Sequence, residues 1–213
     1  MRTERATGLA YLGLALCGLL GHLIIQNRLY VDGDAAATTA NLAAHPTLAG
    51  LGIAADLGVV VTQALAALLF FRLFRPVDDV QAGALAAFGL INSVIVLVGT
   101  MFTAVALASV RAGGTAPVLL LYDVNTAAWG LGGVFFGLWL IPMGRLASRS
   151  GVLPGPLGRL LIVGGVGYVI SAFVTYLAAD TTVVTGVLAA PASIGEFAMI
   201  GFLLFRRRWA APN

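Results

Sequence analysis

Four ionisable side chains lie inside long apolar runs of this sequence, and they are its first candidates for chemistry: His22, Asp56, Asp123 and Glu196. A charged group at the centre of a membrane helix costs about 2.5–3.5 kcal/mol on insertion scales, so such a residue is expected to serve a function or to have a dedicated partner. With a rise of about 1.5 Å per residue, all four fall in the same half of a bilayer, and Glu196 is the deepest at roughly 18 Å. We expect the three acids to face one another across a polar cavity, with His22 at its rim.

A pair of carboxylic acids in hydrocarbon can divide acid and base catalysis between them. Low dielectric disfavours the charged form, so the more deeply buried acid stays protonated and can protonate an alkene or an epoxide. The second acid, ionised nearer to water, then collects the proton that the product releases. The depths assign the donor role to Glu196 and the acceptor role to Asp123, and Asp56 is expected to tune or gate the pair.

Further polar and aromatic residues are expected to bind the substrate. They are His22, Tyr11, Gln63, Asn92, Trp129, Tyr168, Ser171 and Thr175. Three of them, Tyr168, Ser171 and Thr175, follow Gly164 at helical spacing and share one face of a helix. Aromatic rings at such a site can stabilise a carbocation through cation–π contacts; the candidates are Tyr11, Trp129, Phe135, Phe136 and Tyr168.

Each of the four ionisable residues also has a purely structural explanation. Asp123 can be satisfied by Tyr122 or Asn125, and Glu196 by Ser193 one turn away. The other two can lie at an aqueous mouth or at the level of the lipid headgroups.

No metal or cofactor is expected. The chain has two separated histidines and a single cysteine, Cys17, without the Cys/His spacing of a zinc or haem site. It contains no GxSxG elbow, P-loop or dinucleotide fingerprint. The lone cysteine also excludes an internal disulfide framework.

The composition is that of an integral membrane protein. Of the 213 residues, 60% are hydrophobic and 10% are charged, and the mean hydropathy is +0.98, whereas soluble domains carry about 25% charged residues. Six apolar runs reach the roughly 20 residues that cross a bilayer: 7–26, 48–71, 82–110, 117–142, 159–179 and 184–205. The sequence predicts an all-α bundle of six transmembrane helices, forming a single domain over residues 1–213.

The arginines predict the orientation of this bundle. All twelve basic residues are arginine, and ten of them flank the termini and the even-numbered turns: Arg2, Arg5, Arg72, Arg75, Arg145, Arg149, Arg159 and Arg206 to Arg208. Only Arg28 and Arg111 fall on the other side. The positive-inside rule therefore places both termini in the cytoplasm, as expected of a multi-pass protein of a bacterial inner membrane. Membrane orientation accounts for the basic residues, so no nucleic-acid partner is expected.

Two further expectations come from the loops and the glycines. Asp34 is a plausible helix N-cap, so a short helix is predicted on the outer surface between the first two spans. The "GVFFG" segment, with Gly133 and Gly137, has the small-xxx-small spacing that lets helices approach closely. Glycine-rich faces of this kind predict a homo-oligomer.

Several segments resemble the bacterial domain-of-unknown-function 4386 family of multi-pass membrane proteins, over about residues 5 to 205. They are "GDAAATTANL", "LGIAADLGVVV", "GLGGVFFGLWLIPMGRLASRSGVLPGPLGRLLIVGGVGYVI" and "PASIGEF". Asp34, Asp56 and Glu196 match positions where that family typically carries acids. The family tends to have an arginine and an acidic or amide residue in the third span, where this sequence has Gly89 and Asn92. The resemblance implies a fold and no established activity.

These features favour a membrane-embedded enzyme that performs acid/base chemistry on a lipophilic substrate, a membrane lipid or a prenylated small molecule. The chain is similar in size and layout to small membrane terpene cyclases, which suggests proton-initiated cyclisation of an isoprenoid lipid. Two alternatives remain. One is a small proton-coupled transporter, against which the lack of an internal repeat counts. The other is a non-catalytic scaffold or interaction protein.

Overall fold

The computed structural model describes residues 3–114, 116–151, 153–178 and 181–205, and within these ranges the chain is all helical. The described residues form seven helices: α1 (Thr3–Leu29), α2 (Ala35–Ala44), α3 (Pro46–Phe74), α4 (Asp79–Arg111), α5 (Val118–Arg149), α6 (Gly155–Leu177) and α7 (Thr182–Phe205). All of them except α2 are long and apolar enough to cross a membrane.

The six spanning helices confirm the predicted runs. In hydrocarbon, the backbone N–H and C=O groups must be satisfied within the segment, and a continuous helix does so. The helices extend a few residues beyond the apolar runs because the bonding continues into polar ends such as Asp79 and Arg111. Helix α5 continues through Pro142 to Arg149, whereas the hydropathy pattern ended that span at residue 142.

Helix α1 changes its geometry halfway along. Thr3–Gly18 is α-helical, Leu19–Gln26 is a π-helix, and Asn27–Leu29 returns to α-helical geometry. A π-helix closes its hydrogen bonds over five residues rather than four, and it is rare and frequently found at functional sites. The predicted stripe of Tyr11, Gly18 and His22 assumes regular α-helical spacing, and that assumption does not hold beyond Gly18.

The short outer helix α2 is present where the sequence predicted it. The Asp34 side chain accepts a hydrogen bond of 2.8 Å from the backbone N–H of Ala37, which caps the helix. Leu42 is fully buried in an apolar cluster that includes Leu29, Ala49 and Tyr122. Hydrogen bonds from Thr38 to the backbone of Val31 and from Asn41 to the carbonyl oxygen of Leu29 also hold the helix.

The chain groups into two compact units. Unit 1 contains the described residues of 1–12, 63–92 and 131–213, and unit 2 contains 13–62 and 93–130. Helices α1, α3, α4 and α5 contribute residues to both, so each unit is assembled from separate segments of chain. The single domain over 1–213 stays a prediction.

Glycine contacts bring helices of unit 1 close together. Gly137 of α5 meets the backbone of Gly165 in α6, and Gly164 of α6 meets the backbone of Ala192 in α7. A side chain at any of these positions would collide with a neighbouring helix. Because Gly137 and Gly133 both face α6 of the same chain, this part of the glycine-rich face packs internally. A homo-oligomer stays a prediction.

Arginines in the turns of unit 1 bind acidic residues. Arg149 lies 2.8 Å from Asp78, and Arg75 lies 3.1 Å from Asp79. The Arg75–Asp79 pair is largely exposed, so it contributes little stability, whereas Asp78 of the other pair is partly buried. Of the arginines that predict the orientation, Arg2 and Arg206 to Arg208 lie outside the described residues.

The predicted orientation can be tested with single cysteines in a Cys17→Ala background. Val80, in the first turn of α4, is 79% exposed, and Ala36 and Ala112 are exposed near the predicted outer loops. If both termini are cytoplasmic, a membrane-impermeant maleimide added to intact cells should label Ala36→Cys and Ala112→Cys. It should label Val80→Cys only after the cells are permeabilised. The reverse pattern would show that the termini lie outside.

Candidate functional site

Glu196 is held by a tyrosine of another helix. Tyr11 of α1 is 1% exposed, and its hydroxyl donates a hydrogen bond of 2.6 Å to Glu196 Oε1. Ser193, the structural alternative suggested by the sequence, is exposed. The short bond is typical of a phenol donating to a carboxyl oxygen. It fixes the orientation of the carboxyl group and leaves Oε2 to carry a transferable proton.

A series of packed aromatic rings in unit 1 begins at Tyr11, the partner of this carboxyl group. The Tyr11 ring lies 5.5 Å from that of Trp139, which is 5.5 Å from Phe136, and Phe136 is 5.2 Å from Tyr168. Tyr168 in turn interacts electrostatically with Glu196. We call these five residues the Glu196 cluster. The distances between neighbouring ring centroids in the cluster fall in the range that favours packing of one aromatic ring against another.

The Glu196 cluster is partly exposed at one end. Phe136, Tyr168 and Glu196 are partly exposed, and Ile194 and Phe197, close to Glu196 on α7, are each 62% exposed. Tyr11 and Trp139 are fully buried.

Asp123 has a different partner from the two that the sequence suggested. The Tyr30 hydroxyl lies 2.8 Å from Asp123 Oδ1 and 2.9 Å from Asp32 Oδ1. A phenol has one proton and can donate to only one carboxylate at a time. Asp123 therefore belongs to a group of three side chains near the start of α5, and Tyr30 can exchange its donor bond between the two acids.

Asp56 lies in the core of unit 2. It is 6% exposed, and its Oδ1 has no hydrogen-bond partner among the described residues. The Thr100 hydroxyl reaches the same carboxyl group but donates to the carbonyl oxygen of Val96 at 2.8 Å. A cavity of about 20 Å³ adjoins Asp56, lined by Gly21, Ile25, Gln26, Leu29, Ala49, Gly52, Ile53, Asp56, Thr103 and Tyr122.

His22 belongs to a series of hydrogen-bonded side chains in unit 2. Its Nδ1 lies 2.9 Å from Gln26 Oε1, and the Gln26 amide donates to the Thr126 hydroxyl at 2.9 Å. The imidazole stacks on Trp129 with ring centroids 4.4 Å apart. Trp129 therefore packs on His22 in unit 2, whereas Trp139 is the indole of the Glu196 cluster.

The remaining predicted binding residues make mostly local bonds. Asn92 donates to Gln63 at 2.8 Å, and both are buried. Ser171 approaches the carbonyl oxygen of Thr185 at 3.4 Å, and the exposed Thr175 bonds back to Ser171. These contacts connect α3 with α4 and α6 with α7, which is a structural role.

The three acids are thus distributed over both units. Asp56 and Asp123 belong to unit 2, and Glu196 belongs to unit 1. The convergence of all three on one cavity, and the pairing of Glu196 with Asp123, stay predictions. The sequence does not predict the partners of the acids, because Tyr11 is 185 residues from Glu196 and Tyr30 is 93 residues from Asp123. A buried amide, Asn125, with no partner for its oxygen or nitrogen among the described residues, was also missed as a site.

Within the described residues, no group of three or more His, Cys, Asp or Glu side chains is arranged to hold a metal ion.

The fold and these sites define a multi-pass helical membrane protein with carboxyl groups inside its spanning segments. The chain belongs to the family described as Domain of unknown function (DUF4386), whose sequence profile matches residues 6–206. The resemblance found in the sequence is thereby confirmed. No curated protein and no solved structure matches the chain.

Tyr30 lies outside the spanning segments, and its pKa is raised. Burial is the largest cause, followed by the hydrogen bonds to Asp123 and Asp32 and by their charges. Unfolded tyrosine titrates near pH 10. A folded-state pKa above that value means that the stabilisation is fully present below about pH 10 and is lost as the pH rises through the folded-state pKa.

We therefore expect Tyr30→Phe to lower the free energy of unfolding by roughly 1 kcal/mol at neutral pH, because a hydrogen bond to a carboxylate is removed. Reversible unfolding in mixed micelles would measure this. Tyr176→Phe, at a tyrosine that is 59% exposed, should change the stability by less than about 0.5 kcal/mol. Equal effects of the two variants would show that the Tyr30 bond contributes no stability.

Proposed function

We propose that the protein is a membrane-embedded acid/base enzyme that acts on a lipophilic substrate, with Glu196 as the proton donor. The observation that supports this is the hydrogen bond to Glu196 from Tyr11, whose ring packs against Trp139. A carboxyl group set in hydrocarbon favours its neutral form unless a cation is near. The partners of Glu196 in the described chain are tyrosines, not cations.

Tyr11 prepares Glu196 for proton transfer. By donating to Oε1, the phenol orients the carboxyl group and stabilises the carboxylate that remains after the proton has left from Oε2. Because this hydrogen bond is already present before the proton leaves, Tyr11 can stabilise the carboxylate without any movement of the backbone. Tyr11 is therefore a positioning residue for Glu196.

The aromatic rings account for the substrate class. Protonation of an alkene carbon gives a carbocation, which the partly exposed rings of Phe136 and Tyr168 can stabilise. A neighbouring alkene then attacks the cation to close a ring, and loss of a proton from an adjacent carbon completes the reaction. The net change is an isomerisation, so no oxidant or cofactor is consumed. An isoprenoid chain in the bilayer supplies the required alkenes and can enter from the lipid-facing side of α7.

Asp123 is proposed as the final proton acceptor. Its bond with Tyr30 keeps it in contact with a group that also reaches the exposed Asp32. A proton taken up there can pass to the solution through the phenol. The role of Asp56 as a gate for this pair belongs to the same proposal.

The proton-donor role is tested by Glu196→Gln. This change keeps the shape and the hydrogen bond from Tyr11 but removes the transferable proton, so turnover should be abolished while the melting temperature stays nearly unchanged. Membranes are incubated with prenylated aromatic lipids in D₂O. The products are separated by chromatography, and their masses are measured by mass spectrometry. Because one proton is added and another is lost, the cyclised product should carry one deuterium.

Two further variants make this test specific. Tyr11→Phe keeps the acid but loses its orientation, so the rate should fall by about tenfold to a hundredfold. Asp79→Asn makes the same acid-to-amide change at an exposed residue of a surface ion pair and should leave the rate unchanged. Full activity of Glu196→Gln would refute the donor role, and unfolding of this variant would show that the acid is structural.

A small coupled transporter is the second candidate, and one observation favours it. The carboxyl group of Asp56 borders a cavity of about the size of a water molecule. A cavity of this size suits a proton or an ion better than an isoprenoid. A pH-sensitive dye trapped in proteoliposomes would test it. A proton flux that Asp56→Asn abolishes would favour transport over catalysis.

A further inference from the structure

The cavity beside Asp56 has the properties of a small binding site. Asp56 is buried, with 6% of its surface exposed. Its Oδ1 has no hydrogen-bond donor among the described protein groups, and it borders the cavity. Buried polar atoms in native proteins nearly always have a partner, so such an oxygen indicates a ligand.

We propose that this cavity binds one small monovalent cation, Na⁺, with Asp56 as its charged ligand. Three other lining residues carry a side-chain oxygen: Gln26, Thr103 and Tyr122. Carboxylate, amide and hydroxyl oxygens are the ligands that hard cations prefer. The site lies wholly within unit 2, on helices α1, α3, α4 and α5.

Charge and size select the ligand. None of the lining residues is basic, so an ionised Asp56 has no counter-charge at the cavity. A single positive charge neutralises it, whereas a divalent ion would leave a net charge in a hydrocarbon environment. The volume of about 20 Å³ suits a body of the size of a water molecule or a small ion. Water fits the volume but does not neutralise the charge.

The local backbone supports an ion site at this place. Gly21 and Gln26 belong to the π-helical segment of α1, and departures from regular helix occur where spanning helices coordinate ions. A Cβ atom at Gly21 would lie 2.8 Å from Asp56 Oδ1 and 3.1 Å from the Cβ of Ala55. Glycine at this position therefore lets α1 approach the carboxyl group directly.

The test is thermal unfolding of the purified protein in detergent micelles at fixed pH. Choline chloride is replaced stepwise by NaCl at constant ionic strength. The melting temperature should rise to saturation with Na⁺, because a ligand that binds only the folded state stabilises it. Binding of ²²Na⁺ to the same protein measures the site directly. We expect Asp56→Asn to abolish both responses, and Thr103→Val to weaken the affinity at least threefold with the fold retained.

A matched pair of glycine variants tests the location. Gly21→Ala keeps Asp56 but places a methyl group against its Oδ1, and we expect the Na⁺ affinity to fall at least tenfold. Gly18→Ala adds the same methyl group to the same helix, where its nearest neighbour, Val59, lies at 3.9 Å, and should bind Na⁺ normally.

The outcome is independent of the enzymatic proposal, since Glu196→Gln should retain the Na⁺ response. A melting temperature that is the same in NaCl and in choline chloride would overturn the site. Equal binding of ²²Na⁺ by the wild type and by Asp56→Asn would overturn it as well. Asp56 would then hold only a proton or a water molecule.

Discussion

The structure depends on one constraint: a polar group in hydrocarbon must find its partner inside the protein. The backbone meets this constraint through continuous helices. The side chains meet it through long-range pairs, of which Tyr11 with Glu196 and Gln63 with Asn92 are the clearest. The first pair joins helices at opposite ends of the chain and the second joins two consecutive helices, so the bonds that satisfy the polar groups also hold helices together.

Close helix packing is the second requirement, and glycine provides it. Where Gly137 meets Gly165 and Gly164 meets Ala192, the helices approach to backbone contact and gain van der Waals energy that lipid cannot supply. Packing of this kind positions Tyr168 and Glu196 on neighbouring helices of unit 1. At Gly21, the same property serves a polar group instead, because α1 can lie directly against the Asp56 carboxyl group. One residue type therefore builds both the bundle and the cavity.

Most of the fold could be predicted from the sequence, and the pairing within the sites could not. Hydropathy finds the six spans because transfer energies add along a segment, and Asp34 identifies α2 because N-capping is local. The partner of Glu196 is 185 residues away in the chain, and no local pattern specifies such a contact. Helical spacing also fails beyond Gly18, where the π-helix changes the direction of the side chains. The identity of the buried acids was predictable because their cost in a membrane is a property of the residue alone.

Asp56 and Glu196 are the same kind of functional group in two different surroundings. Glu196 accepts a hydrogen bond from a phenol that packs against further aromatic rings. If Glu196 protonates a hydrocarbon as proposed, aromatic rings nearby are complementary to the organic cation that results. Asp56 borders a water-sized volume lined by glycine, aliphatic and hydroxyl groups, and the cation proposed for it is small and inorganic. The two proposals differ because the size and polarity of the space beside each carboxyl group differ.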